Sequence, residues 1–266
     1  MEKGHEPHRP AEDESRRVSE GLRLNRYLAL AGVASRRGAD ELVAAGRVVL
    51  NGEVCTKPGV RVGEGDYVKV DGRRVQPKRF TTVLVHKPRG LVCSKSDELG
   101  RKTVDSLLPT TLRHLAHVGR LDRDSEGLLV LTNDGSLAYR LTHPSHRVEK
   151  EYVVTLDHAI DDFALARMVS GVHTPEGKLV AKSTRRLSAR RILVILDHGV
   201  KRQIRIMFSA LGFEVVRLVR TRIGALSDAT LAPGEWRMLN AGEIETLLGT
   251  RRKPRKNPGR RQRKKL

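Results

Sequence analysis

The order of strand and helix signals between residues 81 and 248 constrains the fold of this chain more than any other feature. Short apolar or alternating stretches that are typical of strands, such as TTVLVHK at residues 81–87, are interspersed with segments of helical spacing. These elements do not follow one another in regular βαβ units. The pattern therefore predicts an α+β domain, built on a mixed and mostly antiparallel sheet that is flanked by helices and loops.

The individual elements of this domain, assigned to residues 81–250, follow from the same periodicities. Strands are predicted at residues 81–87, 128–131 and 215–223, with a hairpin formed by residues 179–187 and 191–196. Helices are predicted at residues 135–141, 161–169, 201–211 and 241–248.

A smaller module precedes this domain at residues 21–76. Apolar spacing predicts a first helix, and Ser35 is placed to cap a second helix that Gly46 ends. Asn51-Gly52 between two short apolar stretches is a strong hairpin signal. Two helices followed by a small sheet are therefore predicted, with a short basic linker before the larger domain.

The net charge restricts the class of partner. The 266 residues carry 51 Lys and Arg against 31 Asp and Glu, a formal net charge of +20. Such a balance is typical of proteins that bind a polyanion, either nucleic acid or an anionic membrane surface. No apolar run approaches the ~20 residues of a membrane span. Because the N-terminus also lacks an apolar signal-peptide core, we expect a cytoplasmic protein whose partner is nucleic acid and not a membrane.

Neither end of the chain has a core-forming pattern. Residues 1–20 are polar and mixed in charge, which predicts disorder. Residues 251–266 carry ten Lys or Arg and no acid, which predicts a mobile basic tail; a merely solubilising role is the alternative. Subtracting these ten charges from +20 leaves +10, so the rest of the chain is basic in its own right.

The sequence offers no metal-binding pattern. Cys55 and Cys93 lie far apart and form no CxxC pair, and the ten histidines include no HExxH arrangement. We therefore expect neither a disulfide framework nor a metal site.

Basic residues crowd the small module, and arginine planes and helix N-termini both bind phosphate well. The stretch from residue 23 to 72 resembles the S4-like RNA-binding module in its Ser35-Arg36-Arg37 step, its Gly-Arg-Val-x-Leu-Asn-Gly turn and its Gly-Asp-x-Val strand entry. A solvated basic face on another kind of interaction domain is the alternative. The resemblance implies RNA contacts by Arg26, Arg36, Arg37, Arg47, Asn51 and Lys57.

Asp122 is the candidate catalytic carboxylate of the larger domain. It follows Gly-Arg-Leu in a predicted turn, just before a buried apolar run. A carboxylate fixed beside a packed strand is held in one geometry, as catalysis requires. Taken alone, however, an Asp in a Gly-rich turn is more often a cap or a turn former.

Several ordered motifs decide between these interpretations. Residues 119–135, GRLDRDSEGLLVLTNDG, resemble the signature of the RsuA/RluB family of ribosomal RNA pseudouridine synthases. Flanking motifs of that family match residues 86–104, 143–154, 198–226 and 234–237 in the same order. The similarity covers roughly residues 22–248. Ser125 departs from the Thr that is often found there, yet keeps the hydroxyl.

The resemblance implies a site and a reaction. Asp122 is expected to act as nucleophile or to promote glycosidic cleavage, with Arg205 as its ion-pair partner and Tyr152 against the flipped uracil. Leu218, Arg120, Lys201 and Arg202 are expected to bind the substrate. Plainer roles are the alternatives: core for Leu218, a strand aromatic for Tyr152, and surface or phosphate-binding charges for the arginines. Since the isomerisation adds nothing and changes no redox state, no cofactor is expected.

Two other functions are less consistent with the same residues. A non-catalytic RNA-binding or ribosome-assembly protein has no need for Asp122, Tyr152 and Arg205 together, and a DNA-binding protein lacks a defensible helix-turn-helix signal. The basic tail resembles that of the family members that act on the large subunit, which favours large-subunit over small-subunit ribosomal RNA as the substrate. A monomer is expected.

Overall fold

The computed structural model describes residues 21–95, 97 and 99–249. These separate between Phe80 and Thr81 into two units. The predictions for residues 1–20 and 251–266 lie outside the described residues.

The first unit consists of two helices and a small sheet, as predicted. The helices are α1 (Leu24–Leu30) and α2 (Arg36–Ala44), and the strands are β1 (Leu22–Arg23), β2 (Val48–Leu50), β3 (Glu53–Cys55), β4 (Arg61–Val62), β5 (Val68–Val70) and β6 (Arg73–Val75). Ser35 caps α2, since its side chain accepts a hydrogen bond from the Gly38 amide at 3.0 Å. Strand order is β3-β2-β5-β6, with β1 and β4 paired separately. Leu28, Ala39 and Val48 are fully buried between the helices and the sheet.

The second unit is built on one large sheet. Its strands are β7 (Thr82–Lys87), β8 (Ala116–Val118), β9 (Glu126–Thr132), β10 (Lys150–Leu156), β11 (Val172–Thr174), β12 (Gly177–Leu179), β13 (Ser183–Arg186), β14 (Arg191–Leu196), β15 (Val215–Ile223), β16 (Leu226–Ser227) and β17 (Trp236–Met238). Its helices are α3 (Gly135–Thr142), α4 (Asp162–Ser170), α5 (Gln203–Ala210) and α6 (Ala241–Leu247), and short 3₁₀ turns occur at Val104–Leu107, Thr110–Leu112 and Pro144–His146.

The sheet order places the turn that carries Asp122 next to the centre of the sheet. The order is β13-β14-β10-β15-β9-β7-β17, with β16 added to β15 and β8 to β9. Among the described strands, β9 and β15 form the one parallel pair. Strand β9 is buried along its whole length and begins just after the Asp122 turn. The predicted α+β class with a mostly antiparallel sheet is confirmed.

One predicted strand is wrong in its extent. Residues 179–187 were expected to form one strand of a hairpin, but the chain breaks after Leu179 and β12 pairs with β11. Only β13 pairs with β14. Between them Ala181 is fully buried and its amide donates to the Met168 carbonyl at the end of α4. Alternating polarity does not distinguish one long strand from two short ones that pair with different neighbours.

Candidate active site

A cavity of about 310 Å³ opens on the second unit, bounded by the Asp122 turn, β10, β15 and the segment that leads into α5. Asp122, Tyr152, Leu218, Arg120, Lys201 and Arg202 all line it. These are six of the seven residues that the sequence predicted for catalysis and substrate binding. The volume is at the lower end of the roughly 300–1,000 Å³ that is typical of small-ligand sites.

Asp122 lies in a turn that the local sequence shapes. Gly119 adopts a φ of 72°, and the Ser125 amide donates to the Asp122 carbonyl at 3.1 Å. Leu121 is 7% exposed and anchors the turn to the core. The Asp122 side chain is 30% exposed and turns its carboxylate toward the cavity lining. A carboxylate held this way is accessible to a substrate yet fixed in position.

The cation nearest to this carboxylate is Arg202. Its Nη1 lies 4.0 Å from Asp122 Oδ2. Arg202 also has a φ of 58°, in the left-handed region that non-glycine residues rarely adopt. Strained backbone of this kind is concentrated at functional sites.

The predicted ion pair between Arg205 and Asp122 is not formed. The Arg205 guanidinium instead donates to two backbone carbonyls, that of Val215 at 2.8 Å and that of Asp124 at 3.2 Å. Burial lowers the pKa of Arg205, with Asp122 and Asp124 acting in the opposite direction. Arg205 therefore binds the backbone of the turn, because α5 begins at Gln203 and aims residues 202 and 205 at different parts of it.

Tyr152 and Leu218 come from neighbouring strands of the sheet. In the β10–β15 pairing Tyr152 lies opposite Arg220, and Val154 lies opposite Leu218. Leu218 is 5% exposed, whereas Tyr152 is only partly buried against the adjoining core. An aromatic face and an aliphatic side chain on one wall are suited to contact with a planar base.

The first unit contains the predicted RNA-binding residues, and the side chains of two of them are bound to other residues of the unit. Arg47 forms a bidentate ion pair with Asp71, at 2.9 and 2.6 Å. The Asn51 amide donates to Asp66 at 2.7 Å and its carbonyl oxygen accepts from the Tyr67 amide at 2.9 Å. Both side chains stabilise turns of the module. Side chains that remain open to solvent or partly so are Arg26, Arg36, Arg37 and Lys57.

Lys87 belongs to the site without having been predicted. It ends β7, is fully buried, and its Nζ donates to the carbonyls of Pro88, Arg123 and Ser125 at 3.0, 3.2 and 2.7 Å. Burial lowers its pKa below the ordinary lysine value. The sequence signal that could have indicated Lys87 is a lysine at the end of an apolar strand. This signal does not reveal which carbonyls the ammonium binds.

The described residues contain no group of three His, Cys, Asp or Glu side chains that could hold a metal ion. None of their helices combines the length and the apolar character that crossing a membrane requires.

Comparison with known proteins identifies two domains. Residues 81–210 match the family model described as RNA pseudouridylate synthase, and residues 22–66 match the S4 domain. An uncharacterized RNA pseudouridine synthase of Aquifex aeolicus (strain VF5) is 38% identical over 248 residues, covering 88% of this chain and 98% of the relative. The ribosomal large subunit pseudouridine synthase B of Bacillus subtilis (strain 168) is 36% identical, covering 85% and 96%. A solved pseudouridylate synthase is 30% identical and superposes with a TM-score of 0.63, covering 85% of this chain and all of the other.

Proposed function

Because this chain belongs to the RNA pseudouridine synthase family, we propose that it converts a specific uridine of ribosomal RNA to pseudouridine with Asp122 as the catalytic carboxylate. The observation that carries the assignment is one cavity lined by Asp122, Tyr152 and Leu218, with Arg202 at 4.0 Å from the carboxylate. A non-catalytic RNA-binding protein does not need this combination in a cleft.

The reaction exchanges one bond for another. The bond from ribose C1′ to N1 of uracil breaks, the base turns, and C1′ bonds to C5, while the C5 proton is lost and N1 gains one. Asp122 either attacks C1′ or promotes the cleavage in another way. Tyr152 and Leu218 hold the turned base. The target uridine must first leave its stack, at a cost of a few kcal/mol.

The remaining roles concern RNA binding. Arg120, Lys201 and Arg202 are exposed beside the cavity, where they are suited to the phosphates that flank the uridine. The S4 module contributes the contacts of Arg26, Arg36, Arg37 and Lys57. Arg205 acts by holding the Asp122 turn. We propose that the enzyme works as a cytoplasmic monomer without a cofactor.

Large-subunit ribosomal RNA is the proposed substrate. It is supported by the similarity to the large-subunit enzyme of Bacillus subtilis and by the ten basic residues of the C-terminal segment. Small-subunit ribosomal RNA is the second candidate. Mapping of pseudouridine in both ribosomal RNAs, from cells with and without the gene, distinguishes the two.

Asp122→Asn tests the catalytic assignment in the same cells. The substitution keeps the shape of the side chain and removes its charge, so product should disappear while the dissociation constant for RNA changes less than about threefold. Asp124→Asn is the matched control, because it removes the same charge from an exposed side chain two residues away and should leave the pseudouridine in place. Normal product with Asp122→Asn would exclude Asp122 as the catalytic group.

A further inference from the structure

Two basic residues in the lining of the cavity have no part in the mechanism proposed for Asp122. Lys150 begins β10 and Arg220 lies on β15, and both line the cavity. Arg220 is 4% exposed; its Nε donates to the Leu128 carbonyl at 2.6 Å, but its Nη2 is buried without a hydrogen-bond partner in the described structure. The Lys150 ammonium likewise has no hydrogen bond or ion pair among the described residues.

Unpaired buried cations are unfavourable unless something else compensates their charge. Burial, and next the positive charge of Arg220, lower the pKa of Lys150 to about 8. Asp197 at the end of β14 acts in the opposite direction, but its carboxylate is already bound to His198 at 2.8 Å. The other charged or titratable groups that face the cavity are Tyr152 on the same strand, and Asp122, Arg120, His198, Lys201 and Arg202 on its other walls. Lys150 and Arg220 therefore form a positive region of the cavity lining whose charge no ion pair among the described residues compensates.

We propose that Lys150 and Arg220 stabilise the uracil anion that forms when the glycosidic bond breaks, an inference that rests on the proposed function. The electron pair of the C1′–N1 bond leaves with the base and is delocalised over N1 and the two carbonyl oxygens. The base returns that pair when C5 bonds to C1′, and the C5 proton then moves to N1. Cationic donors aimed at this charge lower the barrier because it is absent from the bound uridine.

The position of the two residues favours the base over a phosphate. Phosphates stay on the RNA backbone at the mouth of the cavity, where the half-exposed Arg202 and the exposed Lys201 lie. Arg220 is instead buried directly opposite Tyr152 in the β10–β15 pairing, on the wall that is assigned to the base.

Lys150→Met and Lys150→Arg, in the full chain, test the inference on an RNA fragment that contains the mapped uridine. The fragment is prepared with uridine or with 5-fluorouridine, whose fluorine makes the base a better leaving group. Glycosidic cleavage is followed in single turnovers by nucleoside chromatography, and the dissociation constant for RNA is measured separately. The wild type and Asp122→Asn are the references.

Lys150→Met should slow cleavage of the uridine substrate by roughly 100-fold or more. Removal of one hydrogen-bond donor that stabilises developing negative charge has an effect of this size in other enzymes. With 5-fluorouridine the loss should shrink at least tenfold, and RNA affinity should change less than threefold. Because guanidinium does not deprotonate, Lys150→Arg should recover activity and keep kcat/KM constant above pH 8, where that of the wild type falls.

Two results would overturn the inference. An equal loss with both substrates would show that Lys150 does not respond to charge on the leaving base. Weaker RNA binding with an unchanged rate at saturation would make it a phosphate contact. In both cases an active wild type and an inactive Asp122→Asn leave the proposed function intact, whereas a wild type without product removes both proposals.

Discussion

At the scale of single residues, the turn that carries Asp122 is held by cations that bind its backbone. Lys87 donates to the carbonyls of Arg123 and Ser125, and Arg205 donates to that of Asp124. The carbonyl oxygens of these three consecutive residues of the turn are thus satisfied. The Asp122 carboxylate thus remains available to the substrate and to Arg202. Positive charge therefore positions the proposed catalytic group as well as neutralising it.

Lys87→Met removes the three hydrogen bonds at nearly constant volume. Each buried carbonyl that loses its donor costs about 1–3 kcal/mol, but removing a charge that burial disfavours offsets part of this loss. The free energy of unfolding should therefore fall by about 2–4 kcal/mol. Because the turn loses its support, kcat should fall more than KM rises. Denaturant unfolding and single-turnover rates measure the two effects. Lys102→Met, at an exposed position of the same unit, should change neither; an equally stable and active Lys87→Met would refute this role.

Lys150 provides a prediction that does not depend on the reaction. Its folded-state pKa of about 8 lies below the ordinary lysine value of 10.5, so the charged form is disfavoured by folding at every pH below 8. This penalty disappears as the pH rises from 8 to 10.5. Lys150→Met should therefore raise the free energy of unfolding at pH 7 by about 1–2 kcal/mol, after allowance for solvent screening.

The gain from Lys150→Met should shrink toward pH 10.5, which unfolding curves at several pH values measure. Lys182→Met is the control with the opposite sign, since the ion pair with Glu149 raises the pKa of Lys182. A variant at position 150 that is less stable than the wild type at pH 7 would contradict the assignment of an uncompensated charge.

At the scale of elements, the parallel contact between β9 and β15 joins the Asp122 turn to the wall that is assigned to the base. Gly127 lies opposite Arg220 in this pairing, with a φ of 106°. A β-carbon at position 127 would lie 2.2 Å from the Arg220 carbonyl oxygen. Absence of a side chain there allows the two backbones to approach, which brings Asp122 and Leu218 to one cavity.

Gly127→Ala should therefore destabilise the second unit through both strain and collision. Positive φ costs about 1–3 kcal/mol and overpacking about as much, so a loss of roughly 2–5 kcal/mol in the free energy of unfolding is expected. Gly177→Ala isolates the first contribution, because Gly177 has a φ of 97° and open space around its missing β-carbon. Similar losses in the two variants would show that the approach of the backbones is not the cause.

At the scale of the whole molecule, positive charge is distributed over more than the active site. The residues outside 251–266 retain a net charge of +10 after the ten basic residues of that segment are subtracted from +20. Charge of this size attracts RNA without reading its sequence, and its contribution to affinity decreases as salt rises. Selection of one uridine then depends on the cavity and on the shape of the RNA around it.

Replacing the ten Lys and Arg of residues 251–266 by Gln tests the contribution of this segment at constant length. RNA affinity at low salt should fall, and the slope of log K against log salt should become less steep by about 0.7–0.9 for each phosphate contact that is lost. Binding titrations at several salt concentrations measure both quantities. A slope equal to that of the wild type would show that the segment makes no phosphate contact.

The sequence by itself determined what depends on short stretches of chain. Apolar periodicity located β7, β15 and the helices α3 to α6 to within a few residues, and the cap of Ser35 located α2. The turn before β9 and the ordered motifs around it singled out Asp122. These signals lie within about ten residues of the structure that they specify, because caps, turns and alternating faces are local properties of the backbone.

Only the tertiary structure decided which groups the charged side chains contact. Lys87 reaches a carbonyl 38 residues away, Arg205 one 81 residues away and Arg220 one 92 residues away. Such contacts depend on the order of strands in the sheet and on where α5 begins, and many orders are compatible with the same local pattern. For that reason the partner of Asp122 was predicted as Arg205 and found to be Arg202, and Lys150 and Arg220 were not predicted at all.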